Sequence, residues 1–226
     1  MSLPSADLVD EDAPSPCPPP LPSTLPAPSS APASAPLSLP PATRRMGGEE
    51  LVATVFEKVH AMYFLGDALE ATRFALTVLA DAVPCRASLV HFFDVTRKEF
   101  VVVDAHGEGA CDMVLTRHGV KDPLLGVAMP LGAPFFWNDL SNAPVRSIAR
   151  FANMGEIARA LVCPIVLGGR WMAAIELVDP LDGAPFDSDE EHAAAYVARH
   201  LADFLQAQGV IVDTAVIARF AFNADP

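Results

Sequence analysis

Apolar positions recur along this chain with two different periods, and the change from one to the other marks its elements. Leu51, Val52, Val55, Phe56, Val59, Met62 and Tyr63 fall at helical spacing, which predicts a helix with a single apolar stripe. Gly66-Asp67 interrupts it. Asp67 is placed to cap a second helix reaching about Ala82, with Ala71, Phe74, Ala75, Val78 and Leu79 inward and Pro84 at its end. The pattern then turns to strand runs: 86–94 (RASLVHFFD) and 99–105 (EFVVVDA) flank the polar turn Val95-Thr96-Arg97-Lys98 and predict a hairpin. A second hairpin is predicted from 160–167 (ALVCPIVL) and 171–178 (WMAAIELV), which meet at Gly168-Gly169-Arg170. Phe186-Asp187-Ser188 then opens a last helix, with Glu190 and Glu191 at capping-box distance and Tyr196, Val197, Leu201, Phe204 and Leu205 at helical spacing.

The stretch between the hairpins is less regular. Asp122-Pro123 starts a short helix (PLLGVAM), Gly132-Ala133-Pro134 stops it, Phe135-Phe136-Trp137 makes a brief strand, and 144–158 is helical with a break near Gly155. Short turns between strands imply an antiparallel sheet. The first, second and last helices carry the stripes needed to cover one of its faces, so the class is α+β.

Composition removes some roles. The first 45 residues hold 13 of the 22 prolines and no Trp, Tyr or Phe, too little apolar surface to offset the entropy of ordering. They are expected to be a disordered Pro/Ala/Ser-rich arm, followed by one domain over 46–208 and a C-terminal extension over 209–226 whose run VIVDTAVIARFAF packs on the domain or on a second subunit. From residue 46 onward 24 Asp and Glu face 13 Lys and Arg, which argues against nucleic acid and anionic membrane surfaces as partners. No apolar run approaches the ~20 residues of a membrane span and no leader pattern is visible, so a cytoplasmic location is expected. Cys17, Cys85, Cys111 and Cys163 show no CxxC spacing, which suits reduced thiols better than disulfides or a zinc site.

Over roughly residues 48–207 the chain resembles a GAF domain. The likeness is carried by ALTVLADAVPCRASLVHFFD at 75–94, by Gly107 closing the second strand run (VVDAHG), by GAPFFWNDL at 132–140, and most of all by 161–205, LVCPIVLGGRWMAAIELVDPLDGAPFDSDEEHAAAYVARHLADFL. The resemblance implies a small-molecule-sensing module: a central antiparallel sheet of five or six strands, terminal helices on one face, and on the other a pocket roofed by the variable middle, here about 106–158. Members of that family bind cyclic nucleotides, bilins, haem, formate-like anions or nothing, and many dimerise through their terminal helices.

Within that frame several residues are candidate ligand contacts, each with a plainer alternative. His91 and Glu176 are polar residues inside apolar strands that would be neighbours in the family's sheet; facing the pocket they would pair and offer a donor, or equally form a structural hydrogen bond. Phe135, Trp137, Phe151 and Met154 would wall the cavity, or simply fill a core. Arg146 and Arg150, four apart on one short helix, would hold an anion beside the pocket, or form a solvated face.

Other chemistries find less support. One branch of the family reduces free methionine sulfoxide through cysteines, but Cys163 lies mid-strand and Cys85 follows a proline, settings of inert thiols, which leaves Cys111 in a loop. The Asn-Lys, Phe and Asp-Glu elements of cyclic-nucleotide-binding members are missing. No bilin is expected, since Cys163 is followed by Pro164 and not by His. A haem would have only His106 or His118, and a lone loop histidine is generally solvated; the cofactor is therefore left unassigned, and no metal site is expected. No catalytic motif stands out. The expected role is a non-catalytic signalling module, bacterial in type, that binds a small molecule, a protein partner or both and works as a homodimer through its terminal helices. A ligand-free dimerisation or scaffold module is the alternative, and a cysteine-based reductase the third reading.

Overall fold

The computed structural model describes residues 44–140 and 148–208. The arm apart from Arg44 and Arg45, the extension 209–226 and Arg146 lie outside the described residues. Helix α1 (Gly48–Val59) runs into a 3-10 turn at His60–Phe64, and α2 (Ala68–Ala82) follows. Asp67 caps α2 by accepting from the Glu70 N–H at 2.8 Å, while the Glu70 carboxylate accepts from the Gly66 N–H at 3.0 Å; a cap of this type contributes about 1 kcal/mol. Strands β1 (Cys85–Asp94) and β2 (Glu99–Gly107) form the first hairpin, and β5 (Ala160–Leu167) and β6 (Arg170–Pro180) the second. Between them come α3 (Ala110–Met113), β3 (Arg117–Gly119), α4 (Leu125–Leu131), β4 (Phe135–Trp137) and a 3-10 turn at Ala149–Met154, and α5 (Ser188–Gln208) closes the described chain.

The six strands make one antiparallel sheet in the order β3-β2-β1-β6-β5-β4. The two hairpins therefore join along β1 and β6, at the centre. Alternation divides the side chains of these strands. Val90 and Phe92 of β1 and Ala173, Ile175 and Leu177 of β6 enter the core beneath α1, α2 and α5, whereas Ala87, Leu89, Ala174 and Val178 enter a second core beneath the irregular middle. Phe100, Met113, Leu124, Leu125, Met129 and Phe151 fill that second core.

Helix α5 starts with a reciprocal box: Asp187 Oδ1 accepts from the Asp189 and Glu190 N–H groups at 2.9 and 3.3 Å, and Glu190 Oε2 accepts from the Asp187 N–H at 3.1 Å. Glu190 is also paired with Arg45, which reaches Asp182 at 3.1 Å and donates to the Pro185 carbonyl at 2.8 Å. Arg45, assigned to the arm on composition, is thus bound to the folded part.

Three expectations need correction. The apolar stripe over α1 and the 3-10 turn that follows it is two faces: Leu51, Val55 and Val59 of α1 and Met62 of the turn are buried, but Val52 and Phe56 of α1 and Tyr63 of the turn are exposed, Phe56 to 55 %. A helical period shows that a face is apolar, not that something covers it. The middle contains β3, which the sequence pattern does not announce, and His106 and His118 stand on strands β2 and β3, not in loops. Last, the segment around Arg150 is a 3-10 turn and Arg150 is buried, so it does not belong to a solvated helix face.

Candidate functional site

The polar residues of the roofed face converge on one point. In the β1–β6 register His91 lies opposite Ala174 and Leu89 opposite Glu176, so His91 and Glu176 are diagonal neighbours on the same face. Their side chains meet, with His91 Nε2 2.9 Å from Glu176 Oε2, and both are fully buried. From the roof, Arg150 donates Nε–H to Glu176 Oε2 at 2.8 Å and Nη2–H to Oε1 at 2.6 Å, a fork-on-carboxylate contact. The same guanidinium reaches Asp122, with Nη2 at 3.2 Å from Oδ1 and Nη1 on Oδ2, and its carbon lies 4.9 Å over the Phe151 ring.

Asp122 is in turn fixed by its own turn: Oδ1 accepts from the Leu124 and Leu125 N–H groups at 3.0 and 3.1 Å, at the entry to α4. A strand, a helix start and a 3-10 turn are thereby tied through one cation. Burial works against charge at Glu176, yet Arg150 and His91 outweigh it and hold the carboxyl down at about 2. Burial likewise opposes the charge of Arg150, and the two carboxylates raise its pKa further above an already high value.

His118 stands across the ring of His91, centroids 6.0 Å apart. Burial first, then the positive charge of Arg150 and the neighbouring His91, push its pKa down to about 4. It is neutral at neutral pH. Thr116 Oγ1 donates to the Met113 carbonyl at 2.6 Å and lies 3.1 Å from His118 Nε2. Since the hydroxyl has one proton to give, His118 Nε2 carries the N–H.

The candidate residues part company here. His91, Glu176 and Arg150 meet, and Phe151 and Met154 are buried in the core around them. Trp137 packs half-buried against that core from β4, while Phe135, on the same edge strand, is 37 % exposed. Arg150 does not stand ready to hold an anion, because two carboxylates already neutralise it. Asp122 and His118 belong to the network although sequence reasoning used them otherwise, Asp122 as a helix start and His118 as a loop residue. The one signal for Asp122 was an Asp directly before a Pro and an apolar run.

The thiols lie elsewhere. Cys163 is fully buried among the helix-side core and Cys85 is partly covered, and burial pushes both pKa values well up, the opposite of what a nucleophilic thiolate needs. Cys17 and the side chain of Cys111 lie outside the described part.

Acid should loosen this face in two successive windows. His118 has a folded pKa below its ordinary 6.5, so the unfolded chain binds its proton more readily and stability falls as pH drops from about 6.5 to 4. Glu176 has a folded pKa below its ordinary 4.5, so its contribution is complete above that value and is lost as pH falls to about 2. Thermal melts between pH 8 and 2 are expected to show both declines, and His118→Asn to shrink the upper one alone, part of it remaining because burial also holds His200 below its ordinary value; an unchanged upper decline in that variant would refute the assignment.

With the geometry in place, comparison with solved structures defines the class. The GAF domain of a phosphoenolpyruvate-protein phosphotransferase from Coxiella burnetii is 18% identical over 71% of this chain and 97% of its own, with a TM-score of 0.62. The corresponding GAF domain from Acinetobacter is 11% identical over 74% and 99%, with a TM-score of 0.63. A free methionine-R-sulfoxide reductase from Neisseria meningitidis, solved with its substrate, is 17% identical over 74% and 98%, with a TM-score of 0.61. The chain has the GAF-domain fold. No family model and no curated protein matches the sequence, and at these identities the likeness speaks for the fold and not for an activity.

Proposed function

We propose that this chain is a non-catalytic sensory module of a signalling system, which recognises a small molecule on the roofed face of its sheet. The observation that carries the reading is His91: fully buried, with Nδ1 lacking any hydrogen-bond partner among the described residues, beside an ionic network in an otherwise apolar core. Leaving such a group unsatisfied costs about 1–3 kcal/mol, and a buried ion pair is no better for stability than well-packed apolar side chains. A ligand that satisfies the nitrogen gives the arrangement a use. Because Arg150 ties the roof to β6, a change at this face would move the 3-10 turn and α4 together. The arm that precedes Arg45 would serve as a tether, and output would pass to a partner.

A second reading, a ligand-free dimerisation module, is favoured by a different surface. Phe64 is 91 % exposed, Val52, Phe56 and Tyr63 are exposed as well, and Phe56 stacks on Tyr196 of α5 at 5.8 Å. Apolar surface of this kind on the terminal helices suits a second copy of the chain. A reductase role is disfavoured at Cys163, which is buried, and at Cys85, which is partly covered, because burial pushes both thiol pKa values up.

Native mass spectrometry of the full chain separates these readings. A retained small molecule, lost in His91→Phe, supports sensing. Apoprotein alone, as a dimer whose thermal stability no nucleotide, metabolite or tetrapyrrole panel shifts, would establish the scaffold reading instead.

A further inference from the structure

Side chains of the two terminal helices and of the turn after α1 form one continuous seam of rings. Phe56 packs edge-on against His60, centroids 4.9 Å apart, and stacks on Tyr196 at 5.8 Å. The His200 ring lies 5.3 Å from that of His60 and 4.5 Å from that of Tyr196, and its Nδ1 is 2.8 Å from the Tyr63 hydroxyl. Val52 prolongs the seam, sharing with Phe56 and Tyr196 a groove of about 180 Å³ between α1 and α5. The described residues leave it open, with Val52, Phe56 and Tyr63 each exposed to about half, and apolar surface of this extent gains by being covered.

The chain itself supplies an occupant. Tyr196 and His200 stand four apart on one row of α5, and its last residue, Gln208, lies about 12 Å beyond His200 at ~1.5 Å per residue. Gly209 and Val210 follow Gln208, and Leu205 precedes it. A glycine just past a helix end, with apolar residues on either side at these positions, is the stop signal at which a chain leaves the helix axis and turns back. The run that follows is 210–222, VIVDTAVIARFAF, which is rich in bulky apolar residues and carries two charges, Asp213 and Arg219.

Length and charge fit one path. Extended at ~3.3 Å per residue, Asp213 reaches about 16 Å from Gln208, and Arg219 lies about 20 Å further on. Along α5, Arg199 stands about 14 Å back from Gln208 and Asp189 about 15 Å beyond that, at ~1.5 Å per residue. Arg199 and Asp203 border the seam, since the charges of both act on Tyr63. At its other end Asp189 and Glu49 rim a hollow shared with Val52 and Phe56. A return antiparallel to α5 therefore sets Asp213 by Arg199, and Arg219 by Asp189 and Glu49, opposite charges at both places. The groove on the other flank of α5, against β5, is lined on its helix side by Ala195, Ala198 and Ala202, and its described lining has no acidic group at the Asp189 end to receive Arg219. We propose that residues 210–222 lie as an intramolecular strap over the seam between α1 and α5, antiparallel to α5, in the place that a second copy of the chain would otherwise take. What the roofed face binds has no bearing on this strap, whereas dimerisation through the same rings requires its release.

Modification of His60 and His192, both exposed along the seam, by diethyl pyrocarbonate tests this, read by mass spectrometry on the full chain at several protein concentrations. The unaltered chain should react slowly at every concentration, because the cover is its own. Phe220→Ser/Phe222→Ser should raise both rates several-fold in dilute solution. Equal rates in the two proteins overturn the inference. So does protection that fades on dilution together with a dimer-to-monomer transition in sedimentation, which would give the seam to a second copy. Should the variant aggregate or lose its fold, the unaltered protein reads the same contact: nuclear Overhauser contacts must join the ring of Phe220 or Phe222 to that of Phe56 or Tyr196 in a monomeric sample, and rings without such contacts refute the strap.

Discussion

Replacing Arg150 with alanine is expected to destabilise the domain by roughly 3–5 kcal/mol, because it strands Glu176 as a buried charge. Glu176 is fully buried and, among the described residues, Arg150 is the Lys or Arg paired with it, through two hydrogen bonds. Without it the carboxylate keeps the single contact to His91 and must take up a proton, draw in water or push the roof away. At ~2–4 °C per kcal/mol for a domain of this size, the melting temperature should fall by on the order of 10 °C. Arg150→Lys should recover part of the loss, since a point charge cannot reproduce the two-pronged contact with Glu176 and reach Asp122 as well.

The cause is separable from loss of bulk. In the double variant Arg150→Met/Glu176→Leu no charge is stranded next to β6, and Asp122 retains its backbone donors and its partial access to water. That protein should be more stable than Arg150→Ala, and a thermodynamic cycle of the unaltered protein, Arg150→Met, Glu176→Leu and the double variant should give a coupling between the two positions of at least ~1 kcal/mol. Denaturant melts of the four proteins decide it. If Arg150→Ala costs under about 1 kcal/mol, the roof is not held by this cation and the link drawn between ligand and roof motion fails.

The contrast between Glu176 and Arg150 shows what a sequence can reveal about such a site. Glu176 and His91 stand out because each interrupts an apolar strand, and alternation places them on one face once the strands are paired. Arg150 gives no such signal. In a run with mixed spacing and a second arginine four residues earlier, it has the pattern of a solvated helix, and only the tertiary fold carries it under the roof. The same holds for β3: Arg117–Gly119 is three residues without apolar alternation and becomes a strand by pairing with Glu99–Val101, a contact that no local propensity encodes. By contrast, the β5–β6 hairpin and the start of α5 are written in local chemistry, a Gly-Gly turn and an Asp-Glu capping box, and fold as the pattern predicts. Helix α1 lies between these cases. Its apolar period is plain, but Val52 and Phe56 face outward because width of stripe does not specify how much of it the sheet can cover.

Gly107→Ala should cost on the order of 3 kcal/mol or more, for a reason located in the backbone of β1. Gly107 has φ +97°, and a Cβ there would lie 2.2 Å from the Arg86 carbonyl oxygen and 3.1 Å from the Ala87 Cα. No rotamer relieves a clash with backbone, so the two strands must separate at the Ala87–Gly107 pair, on top of about 1–3 kcal/mol for the strained dihedral itself. The displacement would spread because Arg86 is an anchor: its side chain bonds the carbonyls of Met154 and Glu156 and the Asp179 carboxylate. Asp179 in turn accepts the Ala158 and Arg159 N–H groups at 2.9 and 2.7 Å. Shifting Arg86 therefore loosens the return of the roof into β5, a few residues from Arg150. Gly168→Ala supplies the control, since Gly168 also has a positive φ, +55°, but a Cβ there meets nothing within 4 Å, so it should cost only the ~1–2 kcal/mol of a left-handed residue. Denaturant midpoints for the two variants should therefore differ clearly. Equal losses would mean that strain alone governs Gly107 and that β1 and β2 can part there without disturbing the roof.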